Sequence, residues 1–147
     1  MITRILIAID GSPHSIKAAK LGSSIAAAMN SDLVLLHVVP HKRVTNAIEE
    51  FAKTEQFPGT DVEKLIRGAQ KFLEDRADKA RDIGVNNILI EVEKGPVART
   101  IIETAKRTNA DMIVMGSRGT SELGGLLPGG ASQRVEIMAK CPVLVVK

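Results

Sequence analysis

The chain has 147 residues, of which 44% are hydrophobic and 25% charged, values that predict a single domain over residues 1–147. It contains no Trp, no Tyr and three Phe, so its core must be aliphatic, and it lacks the aromatic platforms of proteins that bind single-stranded nucleic acid. Its formal net charge is +3, with basic and acidic residues interleaved, which argues against a nucleic-acid or membrane-binding surface.

The apolar run from Arg4 to Ile9 is rich in β-branched residues and predicts a buried strand. Pro13 suits the first turn of a helix and Ser12 suits its N-cap, so we expect the alanine-rich stretch from His14 to Met29 to be helical. A second apolar run, Leu33 to Val39, predicts a second buried strand.

The segment from His41 to Thr60 has weak periodicity, and its part from Val44 to Phe57 fits either a short helix or a mobile flap. From Asp61 to Ile83, apolar residues recur at helical spacing with charged residues between them. This pattern predicts a long amphipathic helix that Gly84 ends.

Three more strands and two more helices follow. Asn87 to Val92 predicts a third strand whose stronger alternation indicates an edge position, and a helix starts at Gly95-Pro96. Asp111 to Met115, Ser132 to Ala139 and Pro142 to Val146 are then predicted as strand, helix and strand.

Alternating strands and helices predict a Rossmann-like, doubly wound α/β fold with a five-stranded parallel sheet and helices on both faces. The strand order 3-2-1-4-5 would place the first strand beside the fourth. Asp10 follows the first strand and Gly116 the fourth, so this order makes neighbours of two loops that lie 106 positions apart. Ligands of such folds bind at this point, beyond the carboxyl ends of the strands.

A glycine-rich loop lies at this point. It reads Gly116-Ser117-Arg118-Gly119, nine further residues, then Gly129-Gly130-Ala131-Ser132. A buried strand, a glycine loop and a new helix together form a phosphate cradle, because glycines admit main-chain N–H groups and the helix N-terminus adds partial positive charge. The loop fits neither the dinucleotide fingerprint nor the P-loop.

The spacing resembles the Gly-x2-Gly-x9-Gly-Ser/Thr motif of the universal stress protein family. Similarity extends over nearly the whole chain and is carried by four segments: Ile5–Ser12, Leu36–Val39, Asp111–Gly119 and Cys141–Val146. The resemblance implies a cytoplasmic, usually homodimeric, flavodoxin-like domain, and the branch with the glycine motif binds ATP, with or without Mg or Mn.

The resemblance also implies which residues would bind the nucleotide. Ala8, Ile9 and Asp10 would border the nucleoside, with Asp10 accepting hydrogen bonds from ribose or helping to hold a metal. Val38 would present main-chain groups to adenine. Gly116, Arg118 and Gly119 would wrap the ribose and phosphates, and the phosphates would be bound by Gly129, Gly130, Ala131 and Ser132. Met115 and Ser117 complete the predicted nucleotide-binding set.

Gly130 departs from this family motif, which has Ser or Thr at that position. The amide donor is retained, but a hydroxyl donor is lost. One neutral hydrogen bond contributes about 0.5–1.5 kcal/mol, so the affinity for ATP would fall by about threefold to tenfold. The Ser132 hydroxyl, two residues later, could compensate in part.

Other interpretations stay open for several of these residues. The loop glycines could serve the turn alone, Asp10 could cap the first helix, and Arg118 could be a solvated charge. His37 and His41 have no matching third ligand for zinc, and His37 fits a strand-end residue with a hydrogen-bonded ring. Cys141, the single cysteine, excludes an internal disulfide, fits a reducing cytoplasm and suits a small buried hydrophobe.

The sequence thus favours an ATP-binding regulatory module. One alternative is a dimeric scaffold that binds no ATP. The other is an ATPase, which we expect to be slow because no residue stands out that would orient the attacking water. No leader or apolar run of about 20 residues is present, so we expect neither secretion nor a membrane span.

The last strand, Val143 to Val146, is an apolar edge in this order and predicts a homodimer.

Overall fold

The computed structural model describes residues 1–40, 58–118 and 130–147, and within them five strands form one parallel sheet. The strands are β1 (Arg4–Ala8), β2 (Asp32–Pro40), β3 (Ile88–Gly95), β4 (Met112–Gly116) and β5 (Val143–Val146). Their order is β3-β2-β1-β4-β5. The predicted fold class and strand order are therefore confirmed, and β1 pairs with both β2 and β4.

Helices cover both faces of the sheet. In the described residues they are α1 (Pro13–Met29), α2 (Pro58–Asp82), α3 (Val97–Arg107) and α4 (Ala131–Met138). Buried residues of α1 and α2 pack with one set of strand side chains, and those of α3 and α4 pack with the alternate set. Both cores are aliphatic, as the composition predicts, and Ile5, Leu6 and Ile7 of β1 are fully buried because helices lie on each side.

Helix α1 begins as the sequence predicts. Pro13 is in the first turn, and the Ser12 hydroxyl accepts a hydrogen bond from the main-chain N–H of Ser15 at 3.2 Å. Further along, a Cβ on Gly22 would lie 2.7 Å from Cδ1 of Ile7. The absence of a side chain at Gly22 therefore lets α1 pack closely on β1.

The third strand is longer than predicted. The alternating pattern ends at Val92, but β3 continues to Gly95, and α3 begins at Val97 with Pro96 as its N-cap. The physical reason is pairing, because β2 continues to Pro40 and each added residue of β3 has a partner there, the last pair being Pro40 with Gly95. The edge position of β3 and its partial exposure are confirmed.

Other predicted boundaries differ from the observed ones by at most three residues. The long helix begins at Pro58 rather than Asp61, and β4 covers Met112–Gly116 rather than residues 111–115. The predicted helix or flap from Val44 to Phe57 lies outside the described residues.

At the amino end of β4, Asp111 fastens the start of the chain. Its Oδ2 accepts hydrogen bonds from the N–H and hydroxyl of Thr3 and from the N–H of Arg4, at 2.8, 2.7 and 2.9 Å. These bonds, led by the one from the Thr3 hydroxyl, lower the pKa of Asp111 from its ordinary value.

Candidate functional site

The carboxyl ends of β1 and β4 lie side by side, as the sequence predicts. Ala8, the last residue of β1, is the register partner of Met115, and Gly116 ends β4. The segments that leave these strands, residues 9–12 and 116–118, together with residues 130–132 at the start of α4, are called the strand-end crevice below.

The turn from β1 into α1 is shaped by Asp10. Its Oδ1 accepts a hydrogen bond from the N–H of Ser12 at 2.8 Å, and its own N–H donates to the Ser15 hydroxyl at 3.3 Å. Gly11 between them has φ of 88°, a conformation that favours glycine. The cap of α1 is Ser12, so the Asp10 carboxylate holds the turn rather than the helix end.

Two hydrogen bonds join the start of α1 to the segment after β4. The Ser12 hydroxyl donates to the carbonyl of Arg118 at 3.2 Å, and Nδ1 of His14 lies 3.0 Å from the Ser117 hydroxyl. Gly116 lies directly against α1, because a Cβ there would meet backbone and side-chain atoms of His14 at 2.8 Å. Gly116 is therefore required by helix packing, whatever else it contacts.

The start of α4 reaches the same segment from the other face of the sheet. The Ser132 hydroxyl donates to the carbonyl of Ser117 at 3.3 Å, and Ser132 is 6% exposed. Gly130 is the N-cap, so no N-cap side chain accepts the first N–H groups of α4, and the first turn contains no acidic residue. A helix start of this kind suits an anion. The start of α3, at Pro96, also has no side-chain cap, so α4 is distinguished by its place at the strand-end crevice, where the start of α1 is capped by Ser12.

Val38 lies next to this region on β2. The N–H of Ile9 donates to the carbonyl of Leu36 at 2.8 Å, so Leu36 directs its main chain toward β1. Val38, two residues on, directs its main chain to the same side, beyond the end of β1. The His37 ring is bonded through Nδ1 to the carbonyl of Ile9 at 2.8 Å, which confirms the hydrogen-bonded ring expected for it.

The structure brings together most of the residues predicted for the site. The side chains of Ile9, Val38, Met115 and Ser132 are at most 7% exposed, so these residues can offer a ligand little beyond main-chain groups. Arg118 is exposed and Gly116 is buried. The other described residues of the predicted site are partly exposed: Ala8, Asp10, Ser117, Gly130 and Ala131. Gly119 and Gly129 lie outside the described residues.

Sequence reasoning missed the contribution of His14. Its partner Ser117 is 103 positions away, and no local pattern links them. The predicted strand order is the signal that could have found the pair, because it places the first turn of α1 beside the end of β4.

A groove with a volume of about 560 Å³ lies at the opposite, amino end of the strands. Its three guanidinium groups are paired with carboxylates: Arg4 with Asp32, Arg81 with Asp78, and Arg107 with Glu91 and Glu93. Hydrogen bonds from Asn87 and Arg4 lower the pKa of Asp32. Because these charges are compensated, the groove is a weaker candidate for an anion than the strand-end crevice.

The described residues lack both a metal-binding cluster and a membrane-spanning helix. They contain no cluster of three or more His, Cys, Asp or Glu placed to hold a metal ion. None of the helices in that part of the chain has the length and apolar character needed to cross a membrane. Cys141 packs against the core of α3 and α4, and burial raises the pKa of its thiol. A raised pKa disfavours the reactive thiolate.

Comparison with known proteins identifies the family of this chain. The sequence model described as "Universal stress protein family" matches residues 1–147. The chain belongs to the universal stress protein family. A relative in the family, universal stress protein YxiE of Bacillus subtilis, is 32% identical over 149 residues, covering 100% of both chains.

Solved structures of similar proteins share the fold. The protein MJ0577 superposes with a TM-score of 0.84 at 26% identity, covering 100% of this chain and 96% of that chain. A universal stress protein in complex with cAMP gives 0.68 at 25% identity, covering 99% and 96%. The Archaeoglobus fulgidus universal stress protein in complex with dAMP gives 0.68 at 18% identity, covering 100% of both chains.

Proposed function

We propose that this universal stress protein binds ATP in the strand-end crevice and that nucleotide occupancy sets its conformation or its choice of partner. The contrast between the two helix starts carries the proposal. Ser12 caps α1, whereas no side chain caps α4, which begins at Gly130. The first N–H groups of α4 therefore suit the negative charge of a phosphate.

In this proposal each part of the crevice has one role. The main chain of Gly130 to Ser132, with Gly129, binds phosphates, and the main chain of Gly116 to Arg118, with Gly119, wraps the ribose and phosphates. Ala8, Ile9 and Met115 border the nucleoside, whereas Val38 offers main-chain groups to adenine. The Ser132 hydroxyl already donates to Ser117, so its N–H is the donor assigned to a phosphate.

A divalent cation fits this arrangement only as a companion of the phosphates. Mg²⁺ and Mn²⁺ bind through one or two protein carboxylates together with phosphate oxygens. Asp10 is the carboxylate of the strand-end crevice, and its Oδ1 also accepts the N–H of Ser12. When bound, the cation would neutralise phosphate charge, and Asp10 would hold either the cation or the ribose hydroxyls.

The family members solved with cAMP and with dAMP support an adenine nucleotide as the ligand class. Among adenine nucleotides we propose ATP, because the glycine spacing resembles that of the ATP-binding branch of the family. We place the protein in the cytoplasm, where ATP is present and its single cysteine needs no disulfide partner.

The proposal includes a homodimer formed through β5. This strand is an edge of the sheet, and its four residues, all apolar, are only partly buried. On α4, which contacts β5, Ile137 is 84% exposed. Pairing two such edges about a twofold axis would satisfy their main-chain groups and cover these side chains.

Two measurements on purified protein test the proposal. Nucleotide released by denaturation and identified by chromatography should be ATP or ADP. In a thermal scan, ATP at 100 times its Kd should stabilise the protein by about 2.7 kcal/mol, and GTP at the same concentration should stabilise it less. Absence of bound nucleotide together with an unchanged Tm would contradict ATP binding and favour the dimeric scaffold.

A further inference from the structure

A hydrogen bond between His14 and Ser117 joins the first turn of α1 to the segment that follows β4. Nδ1 of His14 lies 3.0 Å from the Ser117 hydroxyl, and both residues are partly buried. The backbone under the imidazole is fixed as well, because His14 packs against Gly116 with no room for a Cβ between them. The imidazole therefore stands in a defined place beside the segment that follows β4.

Ser117 is held from three sides. Its N–H donates to the carbonyl of Val146 at 2.8 Å, its carbonyl accepts from the Ser132 hydroxyl at 3.3 Å, and its hydroxyl pairs with His14. The pair with His14 uses the side chain of Ser117, so a substitution can remove this bond while the main-chain bonds to β5 and α4 remain.

We propose that His14 is a positioning residue for the nucleotide, acting through Ser117 on the main chain of residues 116–118. This inference rests on the proposed function. If the binding conformation of that segment is populated only in part, the observed Kd equals the intrinsic Kd divided by that fraction. A hydrogen bond that favours the binding conformation thus tightens binding without touching the nucleotide.

The expected effect is bounded by the strength of one neutral hydrogen bond. Loss of such a bond changes an equilibrium by about threefold to tenfold. Both partners act through the same bond, so removing either one should raise the Kd for ATP by a similar factor. Removing both should cost no more than removing one.

The test is a double-mutant cycle measured by titration calorimetry with ATP and Mg²⁺. The proteins are wild type, His14→Ala, Ser117→Ala and the double variant, with free energies of unfolding measured on each. Ser117→Thr keeps the hydroxyl and should restore a Kd near that of wild type. Ser24→Ala removes an exposed hydroxyl of α1 that donates to the Lys20 carbonyl, and it should leave the Kd unchanged.

The outcomes separate this inference from the proposed function. Losses of threefold to tenfold in each single variant, no further loss in the double variant, and rescue by threonine support the inference. A wild-type Kd in Ser117→Ala, or additive losses, would overturn it while ATP binding stands, even if the variants unfold more easily. If wild type itself binds no ATP, both proposals fail. Should His14→Ala not fold, Ser117→Ala and Ser117→Thr decide.

Discussion

The Ser12 hydroxyl donates a hydrogen bond to the carbonyl of Arg118 at 3.2 Å, although the two residues are 106 positions apart in the chain. The same oxygen accepts the N–H of Ser15 at 3.2 Å. One small side chain thus caps α1 and ties the turn after β1 to the loop after β4. The two segments on which the proposed nucleotide site depends are joined before any ligand arrives.

Ser12→Ala should lower the free energy of unfolding by about 0.5–2 kcal/mol, the usual cost of losing an N-cap. Urea unfolding measures the change. Ser12→Asn keeps an acceptor for the N–H of Ser15 without adding a negative charge beside Asp10 and the Arg118 carbonyl, so it should recover most of the lost stability. If Ser12→Asn were as unstable as Ser12→Ala, the bond to Arg118 rather than the cap would be the larger contribution.

Gly116→Ala should destabilise the fold, because the new Cβ would lie 2.8 Å from backbone atoms of His14 and Ser15. Overpacking of this kind costs about 1–3 kcal/mol. Gly68→Ala is a matched control on an exposed face of α2, where a Cβ meets nothing within 4 Å. It should stabilise the protein by about 0.5–1 kcal/mol, since alanine is the better helix former. Equal Tm values for these two variants would contradict the close packing of β4 against α1.

Gly130→Ser introduces the hydroxyl that the proposed resemblance to the ATP-binding branch predicts at this position. Gly130 has φ of −58° and ψ of 166°, a conformation that serine adopts without strain. In the ATP complex we expect the new hydroxyl to donate to a phosphate oxygen instead of accepting the first N–H groups of α4, so the Kd for ATP should fall by about threefold to tenfold while the stability changes by a few tenths of a kcal/mol. Titration calorimetry compares it with Gly130→Ala, which adds the Cβ alone. Equal affinities for the two variants would show that the hydroxyl does not reach the nucleotide.

Ile137→Glu should weaken the proposed homodimer, because it places a charge on an 84% exposed side chain of the helix that contacts β5. Light scattering over a range of concentrations should show the variant dissociating where wild type does not. Ile83→Glu changes an isoleucine that is 50% exposed just after α2, and it should stay dimeric. A wild-type protein that is monomeric throughout would exclude the dimer itself.

Most of the fold is predictable because its determinants are local. Short β-branched runs and helical stripes fix the type of each element, and their alternation fixes a parallel sheet. The predicted end of β3, at Val92, was wrong because Glu93, Lys94 and Gly95 have no strand pattern of their own. They are strand because β2 supplies partners for them, a tertiary cause that local sequence does not carry.

The site divides in the same way. Asp10 and Gly116 could be placed together because parallel strands bring their carboxyl ends to one edge of the sheet. The bonds that hold the site, from Ser12 to Arg118 and from His14 to Ser117, depend on the packing of α1 against β4. The packing of α1 on β4 depends on individual close contacts, such as the one between Gly116 and His14. The spacing of residues in the sequence does not predict such contacts.

An amide NMR titration of wild-type protein with ATP and Mg²⁺ tests the central claim most directly. Binding in the strand-end crevice predicts that the largest shift changes fall on the amides of Gly130, Ala131 and Ser132, with smaller ones from Gly116 to Arg118. Changes confined to Arg4, Asn87 and Arg107 around the groove at the other end of the sheet, or no changes at saturating ATP, would contradict it.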